Sequence, residues 1–364
     1  RRVHGGMAAR CGIFAISSLS SVVPSFASIS SKSTSSSSNL SIPLFLRAPK
    51  YSASFKDLQK WYSWASNLAT SIGPSFALVD NGPDVNLLKR ELKWFLEDSL
   101  DDSSLSSRFC STSENRRPPS VSLRAPLDDL YSLWTERIMQ RRPFQYVVGC
   151  EHWRDLVLCV QEGVLIPRPE TELIIDLVEA AIESKNLGHG IWADLGTGSG
   201  AIAVGIARIL RQSGRVVATD LSPQAIRVAS FNLQRYELQD KIEMREGSWF
   251  DPLKDLEGKL EGILSNPPYI PSGDLPSLQA EVGRHEPHLA LDGGYSGMDY
   301  LNLLVDGAAS MLKSGGFFAF ETNGEKQCEL LRSRIENECR YMFYDVEVVP
   351  DFAGVFRFIS GFRL

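Results

Sequence analysis

The residues best suited to chemistry form the segment Asn266-Pro267-Pro268-Tyr269, which follows the apolar run Ile263-Leu264. Its two prolines fix φ and remove two backbone N–H donors, so the turn is stiff and presents carbonyl oxygens. Asn266 adds an amide with an acceptor and donors, and Tyr269 adds a flat aromatic face. These groups can hold a planar –NH2 group through its two hydrogens and its plane. Such a nitrogen belongs to a carboxamide or to the exocyclic amine of a base, and it reacts only when well positioned.

A second segment, Gly196-Thr197-Gly198-Ser199-Gly200, stands between a predicted buried strand and an Ala/Ile-rich helix. Glycines in such a turn let a ligand approach the backbone at a helix N-terminus. No Gly-Lys-Ser/Thr follows, which excludes a Walker-type phosphate loop. The next strand ends at Asp220, just before the helix start Ser222-Pro223, where a carboxylate can accept hydrogen bonds from two ribose hydroxyls. The combined pattern resembles the S-adenosylmethionine loop of class I methyltransferases.

The elements that must position these segments alternate between short apolar runs and helical stretches from Ile191 onward. This alternation predicts an α/β fold with a parallel sheet, whose ligands bind at the carboxyl ends of the strands. The last runs, 344–349 and 355–359, predict a closing antiparallel hairpin. We therefore expect a catalytic domain over residues 169–364.

Two smaller regions are predicted before this domain. Residues 53–140 carry Leu, Trp and Phe at helical spacing and predict a small helical domain, with a loop at 101–119. Residues 141–168 predict a β-hairpin connector, with Tyr146-Val147-Val148 in its first strand and Leu156 to Val160 in its second.

The N-terminal composition differs from that of the rest of the chain. Residues 1–56 contain seven of the 38 basic and none of the 44 acidic side chains, which leaves 31 basic against 44 acidic and a net charge of −13 for the remainder. A body this acidic disfavours direct nucleic-acid binding. Residues 1–52 are rich in Ser and poor in Arg, which predicts a transit peptide or disordered leader, with the chloroplast favoured and the mitochondrion as the alternative. No run approaches the ~20 apolar residues of a membrane span, so no membrane association is expected.

The remaining polar residues give weaker signals. The six Cys contain no C-x-x-C pair and the five His show no ligand spacing, so no metal site is predicted. His285 and His288, which flank Glu286, are expected to be structural. Arg168, Glu170 and Glu172 are open to two interpretations, as an acid/base cluster or, together with Thr171, as a helix cap with its first-turn charges.

Several further motifs agree with one family in order and spacing. They are Arg142 to Gly149, Leu165 to Glu172, Gly247-Ser248-Trp249-Phe250, Glu286-Pro287, Leu291 to Gly294, Gly297-Met298-Asp299 and Gly315-Gly316-Phe317. With the glycine segment and the Asn-Pro-Pro-Tyr segment, they resemble the release factor glutamine methyltransferases over residues 125–361.

This resemblance implies a helical domain joined through a β-hairpin to a class I methyltransferase domain. It implies contacts to S-adenosylmethionine from the glycine segment, Asp220, Trp249 and Asn266, and a grip on the substrate glutamine by residues 266–269. The aromatic Trp249 is also able to flank an adenine. The implied substrate is the Gly-Gly-Gln loop of a class 1 peptide chain release factor, here an organellar one, modified by a monomeric enzyme. The Asn-Pro-Pro-Tyr segment alone leaves a nucleic-acid adenine or guanine amine as the alternative substrate.

Overall fold

The first elements of the computed structural model, which describes residues 40–106 and 119–364, are mostly helical, as the aromatic spacing predicts. Its helices there are α1 (Phe55–Ser71), α2 (Ser75–Asp80), α3 (Val85–Ser99) and α4 (Leu127–Met139). Two short strands that the sequence analysis missed, β1 (Tyr51–Ser54) and β2 (Ser120–Leu123), pair antiparallel beside them. The core of this region is built on three fully buried rings, Trp61, Phe95 and Trp134. The predicted loop at 101–119 falls partly outside the described residues.

Residues 40–52 belong to this folded region, which corrects the boundary predicted after residue 52. Leu44 is fully buried in the helical core. The guanidinium of Arg124 donates a 2.6 Å hydrogen bond to the carbonyl of Arg47, and β1 supplies one edge of the small sheet. The rest of the predicted leader, residues 1–39, lies outside the described residues.

The connector contains the predicted hairpin, but its first strand begins later than predicted. The hairpin strands are β3 (Cys150–Trp153) and β4 (Leu156–Cys159), which pair antiparallel. Tyr146 to Val148, predicted as strand, belong instead to a short helix, α5 (Phe144–Val148). Pro143 precedes the first turn of α5, and Gly149 ends the helix with a φ of +81°. These start and stop signals outweigh the β preference of the two valines.

Seven strands form the central sheet, which confirms the predicted α/β class. They are β5 (Ile191–Leu195), β6 (Arg215–Asp220), β7 (Ile242–Glu246), β8 (Leu260–Ser265), β9 (Leu312–Glu321), β10 (Phe343–Pro350) and β11 (Phe356–Arg363). The order is β10-β11-β9-β8-β5-β6-β7, and the pairs from β9 to β7 are all parallel. Strand β11 is antiparallel to both neighbours, as the predicted terminal hairpin requires.

Helices cover both faces of this sheet. They are α6 (Leu173–Lys185), α7 (Ala201–Ile209), α8 (Pro223–Arg235), α10 (Asp299–Met311) and α11 (Glu325–Glu338). A further short helix, α9 (Ala280–His285), lies in the segment between β8 and α10 and belongs to neither of the cores that cover the sheet. Successive strand residues point to opposite faces, so Trp192 packs in the core with α6 and α7 while Ala193 packs with α10 and α11. Within the described ranges, no helix has the length and apolar character needed to cross a bilayer.

The sheet order places the two predicted functional segments side by side. Strand β5 lies between β6 and β8 in the sheet. The strand order reverses at β5: the chain continues from β5 to β6 and β7 on one side of it, and then crosses to β8 and β9 on the other side. Leu195 at the end of β5 is in register with Ser265 at the end of β8. The glycine segment and the Asn-Pro-Pro-Tyr segment therefore leave the same edge on neighbouring strands, where open α/β sheets bind ligands.

Candidate active site

The loops that follow β5 to β8 enclose a cavity of about 220 Å³. Most of the predicted site residues line it: Gly196, Thr197, Gly198, Ser199, Asp220, Trp249, Asn266 and Pro268. Gly200, Pro267 and Tyr269 do not line it. Gly200 precedes α7, Pro267 is buried, and the hydroxyl of Tyr269 donates to a buried carboxylate. The structure thus brings the two predicted segments to one cavity.

The glycine segment needs glycine at three positions because its backbone is left-handed there. Gly196, Gly198 and Gly200 have φ values of +72°, +56° and +83°. The N–H groups of Gly196 and Thr197 both donate to the carbonyl of Thr219 at 2.9 Å, which ties the loop to the end of β6. A Cβ on Gly200 would lie 3.2 Å from the Cβ of Ala229, so this glycine also allows α7 and α8 to pack closely.

A fully buried carboxylate, Asp194, supports this loop. Its Oδ2 accepts hydrogen bonds from the hydroxyl of Thr197 at 2.6 Å and from the N–H of Ala203 at 3.0 Å. Its Oδ1 has no partner among the described residues. Burial raises the pKa of Asp194 to about 7. One oxygen of this buried carboxylate is thus left without a partner next to the glycine segment, although Asp194 itself does not line the cavity.

Asp220 is held so that both of its carboxylate oxygens remain usable. Oδ2 accepts the N–H of Gly198 at 2.9 Å and Oδ1 accepts the N–H of Ser222 at 2.8 Å. Each oxygen keeps a second acceptor position, because an ionised carboxylate offers about four. Burial raises the pKa of Asp220, against these backbone hydrogen bonds. The side chain lines the cavity, and its free acceptor positions could receive the two hydroxyl groups that the sequence analysis expects there.

Two aromatic rings form another wall of the cavity. Trp249 has an unusual φ of +45°, and its ring lies over Gly196, where a Cβ would come within 3.7 Å of it. The ring of Tyr300 lies 5.1 Å from that of Trp249 at an interplanar angle of 35°. Both residues line the cavity, so a flat heterocycle can pack against them. Sequence reasoning missed Tyr300, which lies at the start of α10 and has no motif of its own.

Asn266 is the first member of a hydrogen-bond network. Its Nδ2 donates to the hydroxyl of Thr171 at 3.0 Å, and that hydroxyl donates to Oε2 of Glu321 at 2.6 Å. The hydroxyl of Tyr269 donates to Oε1 of Glu321 at 3.0 Å. Burial raises the pKa of Glu321 to about 7, and burial beside this carboxylate also raises the pKa of Tyr269. Oδ1 of Asn266 has no hydrogen-bond partner among the described residues, so it can accept from a ligand in the cavity.

Sequence reasoning offered a helix cap as one of two interpretations of Thr171 and its neighbours, and it missed Glu321. The cap is wrong, because no side chain caps α6 or the 3₁₀ turn before it, and the Thr171 hydroxyl is used in the network instead. Glu321 ends the apolar strand β9 at the same edge of the sheet as Asp220. The signal that singled out Asp220, a carboxylate at the carboxyl end of a strand, could have found it.

The alternative acid/base cluster at 168–172 is not formed. The guanidinium of Arg168 donates to Oε1 of Glu286 at 2.6 Å, whereas Oε1 of Glu172 accepts the N–H of Arg154 at 2.8 Å. Nε2 of His285 and of His288 each lies within hydrogen-bond distance of a backbone carbonyl. The described part of the chain contains no group of three His, Cys, Asp or Glu arranged to hold a metal ion.

A buried ion-pair network joins the helical region to the segment after Tyr269. Glu281 in α9 accepts hydrogen bonds from Arg137 at 2.9 Å and from Arg141 at 2.7 and 2.5 Å. Arg137 also pairs with Glu91 of α3, and Arg141 with Asp80 of α2. Shortly after α9, residues 287–290 contribute Pro287, Leu289 and Ala290 to the cavity wall. The helical region therefore supports one wall of the site, a link that sequence reasoning missed.

Comparison with known proteins gives relatives that match most of the chain. The family described as Methyltransferase small domain matches residues 171–280, which include both functional segments. The release factor glutamine methyltransferase of Thermosynechococcus vestitus is 38% identical over 306 residues, which are 83% of this chain and 97% of that protein. The release factor glutamine methyltransferase of Synechocystis sp. is 36% identical over 312 residues, 84% and 96% of the two chains.

Solved structures resemble this chain more distantly. The hMettl16 catalytic domain, in complex with a MAT2A 3'UTR hairpin, has a TM-score of 0.46 and 14% identity over 72% of this chain and 92% of that chain. A methyltransferase from Pyrococcus furiosus has a TM-score of 0.41 and 19% identity over 58% and 89%. Likenesses this low support no conclusion about the substrate.

Proposed function

The chain belongs to the family of release factor glutamine methyltransferases, and from this premise we propose that it methylates the side-chain amide nitrogen of the glutamine in the Gly-Gly-Gln loop of an organellar class 1 peptide chain release factor. The identity to relatives extends over nearly their whole length, which supports this substrate over a base amine. The acidity of the chain beyond residue 56 agrees with a protein partner rather than a nucleic acid. The α/β domain is of the class I methyltransferase type.

One observation carries the proposal: an asparagine carbonyl and a glycine-rich ligand loop face one cavity from neighbouring strands. Asn266 lines this cavity with Oδ1 available, and residues 196–199 line it from the end of β5. The register between Leu195 and Ser265 keeps the two segments adjacent. A carboxamide held by Asn266 is thereby placed beside whatever the glycine loop binds.

The residues present fit S-adenosylmethionine. The backbone of residues 196–199 suits its amino-acid part, Asp220 suits its ribose hydroxyls, and Trp249 with Tyr300 suits its adenine. When bound, S-adenosylmethionine supplies an electrophilic methyl group on a positively charged sulfur.

The chain itself contributes the orientation of the substrate amide. An amide nitrogen is a weak nucleophile because its lone pair is conjugated with the carbonyl. An N–H bond donated to Oδ1 of Asn266 raises the electron density on that nitrogen and fixes its direction. Positioning of this kind contributes up to roughly 7–11 kcal/mol in model reactions. The prolines after Asn266 keep its backbone from moving as the reaction proceeds.

We also propose that the protein acts as a monomer in the chloroplast, with the mitochondrion as the alternative. The proposed location is supported by the Ser-rich, acid-free composition of residues 1–39, which is typical of a transit peptide. A fluorescent fusion to the full chain tests the compartment, and sedimentation of the purified protein tests the oligomeric state. Fluorescence spread through the cytosol would contradict the proposed location.

The decisive experiment incubates the full chain with a recombinant organellar release factor and a labelled methyl donor. We expect label on the loop peptide, and none on a factor whose loop Gln is replaced by Ala. Asn266→Ala should reduce kcat/KM at least about 100-fold, the range for one preorganised hydrogen-bonding group. Asn337→Ala, an exposed asparagine in α11, is the matched control and should leave activity unchanged. Label that persists on the Gln-free factor, or that is found on RNA or DNA instead, would refute the proposal.

A further inference from the structure

Thr171 and Glu321 form a buried pair beside Asn266 that the methyl transfer described above does not use directly, and Thr171 also lines the cavity. Only 3% of Thr171 and 1% of Glu321 is exposed. The chain of hydrogen bonds runs from Asn266 through Thr171 to Glu321, and Tyr269 donates to the other oxygen of that carboxylate. Three different segments of the chain supply these residues, so the arrangement exists only in the folded protein.

The direction of each hydrogen bond in this network follows from the chemistry of Glu321. An ionised carboxylate only accepts, so the Thr171 hydroxyl must give its single hydrogen to Oε2. The Thr171 oxygen can then only accept from Asn266, which turns Nδ2 toward it. The amide of Asn266 consequently presents Oδ1 to the cavity.

This orientation matters because the two ends of an asparagine amide have nearly the same shape and opposite hydrogen-bonding character. A carbonyl oxygen toward the cavity accepts from the –NH2 of a carboxamide and is repelled by a carboxylate. An –NH2 toward the cavity would do the reverse. Whichever group sets the orientation of Asn266 therefore also sets the preference of the site for Gln over Glu.

We propose that Glu321, acting through Thr171, is a positioning residue that keeps the carbonyl of Asn266 toward the substrate and so selects a carboxamide over a carboxylate. Tyr269 assists by occupying Oε1, which leaves Oε2 for Thr171. The inference rests on the proposed function, since it assumes a glutamine substrate.

The test is the substitution Glu321→Gln, which keeps the size of the side chain and reverses the direction of the hydrogen bonds that run through Thr171. The hydroxyl of Tyr269 has no other acceptor among the described residues, so Oε1 of the new amide is expected to accept from it, and the –NH2 then donates to the Thr171 oxygen. The Thr171 hydrogen is then free to donate to Oδ1 of Asn266, which turns the amide round. We expect kcat/KM for the release factor to fall about 100-fold. Glu325→Gln, an exposed carboxylate four residues later, is the matched control and should retain full activity.

A second measurement separates positioning from a general loss of structure. The affinity of the wild-type enzyme for a factor with Glu in place of the loop Gln should be weaker than for the natural factor. In Glu321→Gln this ratio should shift at least about tenfold toward the Glu factor, a change that simple destabilisation cannot produce. An unchanged ratio would overturn the inference, whether or not kcat/KM falls.

If Glu321→Gln does not fold, variants of Thr171 test the same hydrogen-bond network. Thr171→Val has the same shape without the hydroxyl and should lose about tenfold in kcat/KM, whereas Thr171→Ser keeps the hydroxyl and should stay within about twofold of wild type. Equal activity of the two variants would overturn the inference. Failure of the wild-type enzyme to methylate any release factor is a different result, which refutes the proposed function itself.

Discussion

Glu281→Ala should destabilise the protein although it lies outside the cavity. Glu281 joins α9 to the helical region by three hydrogen bonds to Arg137 and Arg141. Although burial opposes it, the hydrogen bond from Arg141 and the charge of Arg137 lower the pKa of Glu281. The folded state therefore holds this side chain as a carboxylate more firmly than the unfolded state does.

The magnitude follows from which partners remain. Removing one member of a buried ion pair costs about 3–5 kcal/mol when the other charge is left uncompensated. After Glu281→Ala, Arg137 still pairs with Glu91 and Arg141 with Asp80, so we expect the lower end, about 3 kcal/mol. Arg137→Met should cost more, about 4–5 kcal/mol, because the buried Glu91 loses its ion pair.

The assay is urea unfolding of the full chain at pH 7, followed by tryptophan fluorescence. Asp306→Ala, which removes one of the two acidic partners of Arg334 at the surface, is the control and should cost less than about 1 kcal/mol. Glu281→Gln should also lower the free energy of unfolding at pH 7. This difference from the wild type should shrink as the pH falls from 4.5, the pKa of Glu281 in the unfolded chain, through its lower pKa in the folded protein, because the wild-type carboxylate then loses its charge. A loss below about 1 kcal/mol for Glu281→Ala, or an equal effect of Asp306→Ala, would refute this reasoning.

Three further predictions concern the cavity. Glu321 lies near Tyr269, Arg357 and Glu170, and it must be ionised to accept hydrogen bonds on both oxygens. We therefore expect kcat/KM to rise with pH through about 7, the pKa of Glu321. The pH profile of Glu321→Gln should lack this rise. The raised pKa of Glu321 also means that its contribution to stability is present below pH 4.5 and lost as the pH rises through about 7. Unfolding experiments should thus show the wild type losing up to about 3 kcal/mol relative to Glu321→Gln between pH 4 and pH 8. Asp220→Ala should weaken S-adenosylmethionine binding about 100-fold in calorimetry, because two charge-assisted hydrogen bonds are lost, and an unchanged affinity would exclude Asp220 from the site.

The sequence was sufficient to predict the fold class and the residues whose role is local. The glycine segment, Asp220 and the Asn-Pro-Pro-Tyr segment each follow a short apolar strand, and parallel strands bring their carboxyl ends to one edge. The positive φ values at Gly196, Gly198 and Gly200 likewise follow from a turn that only glycine adopts at low cost.

The residues that the sequence did not reveal act through distant partners. Thr171 and Glu321 are 150 positions apart, and Arg137 and Glu281 are 144 apart, so no spacing rule connects them. The incorrect strand prediction at Tyr146 to Val148 has a different cause, because Val147 and Val148 favour a strand whereas Pro143 and Gly149 at either end favour a short helix. The proline before and the glycine after this segment predict the short helix better than the valines predict a strand.

The packing of Leu44 limits how far the chain can be shortened from its N-terminal side. Leu44 fills a fully enclosed space among the helices, and the N–H of Ser41 donates to Gln161 near the hairpin. Proteolytic trimming up to residue 39 leaves these contacts intact, whereas a cut a few residues later would leave a leucine-sized void at a cost of about 2–5 kcal/mol. A recombinant version for crystallisation should accordingly start at Leu40 rather than at residue 53.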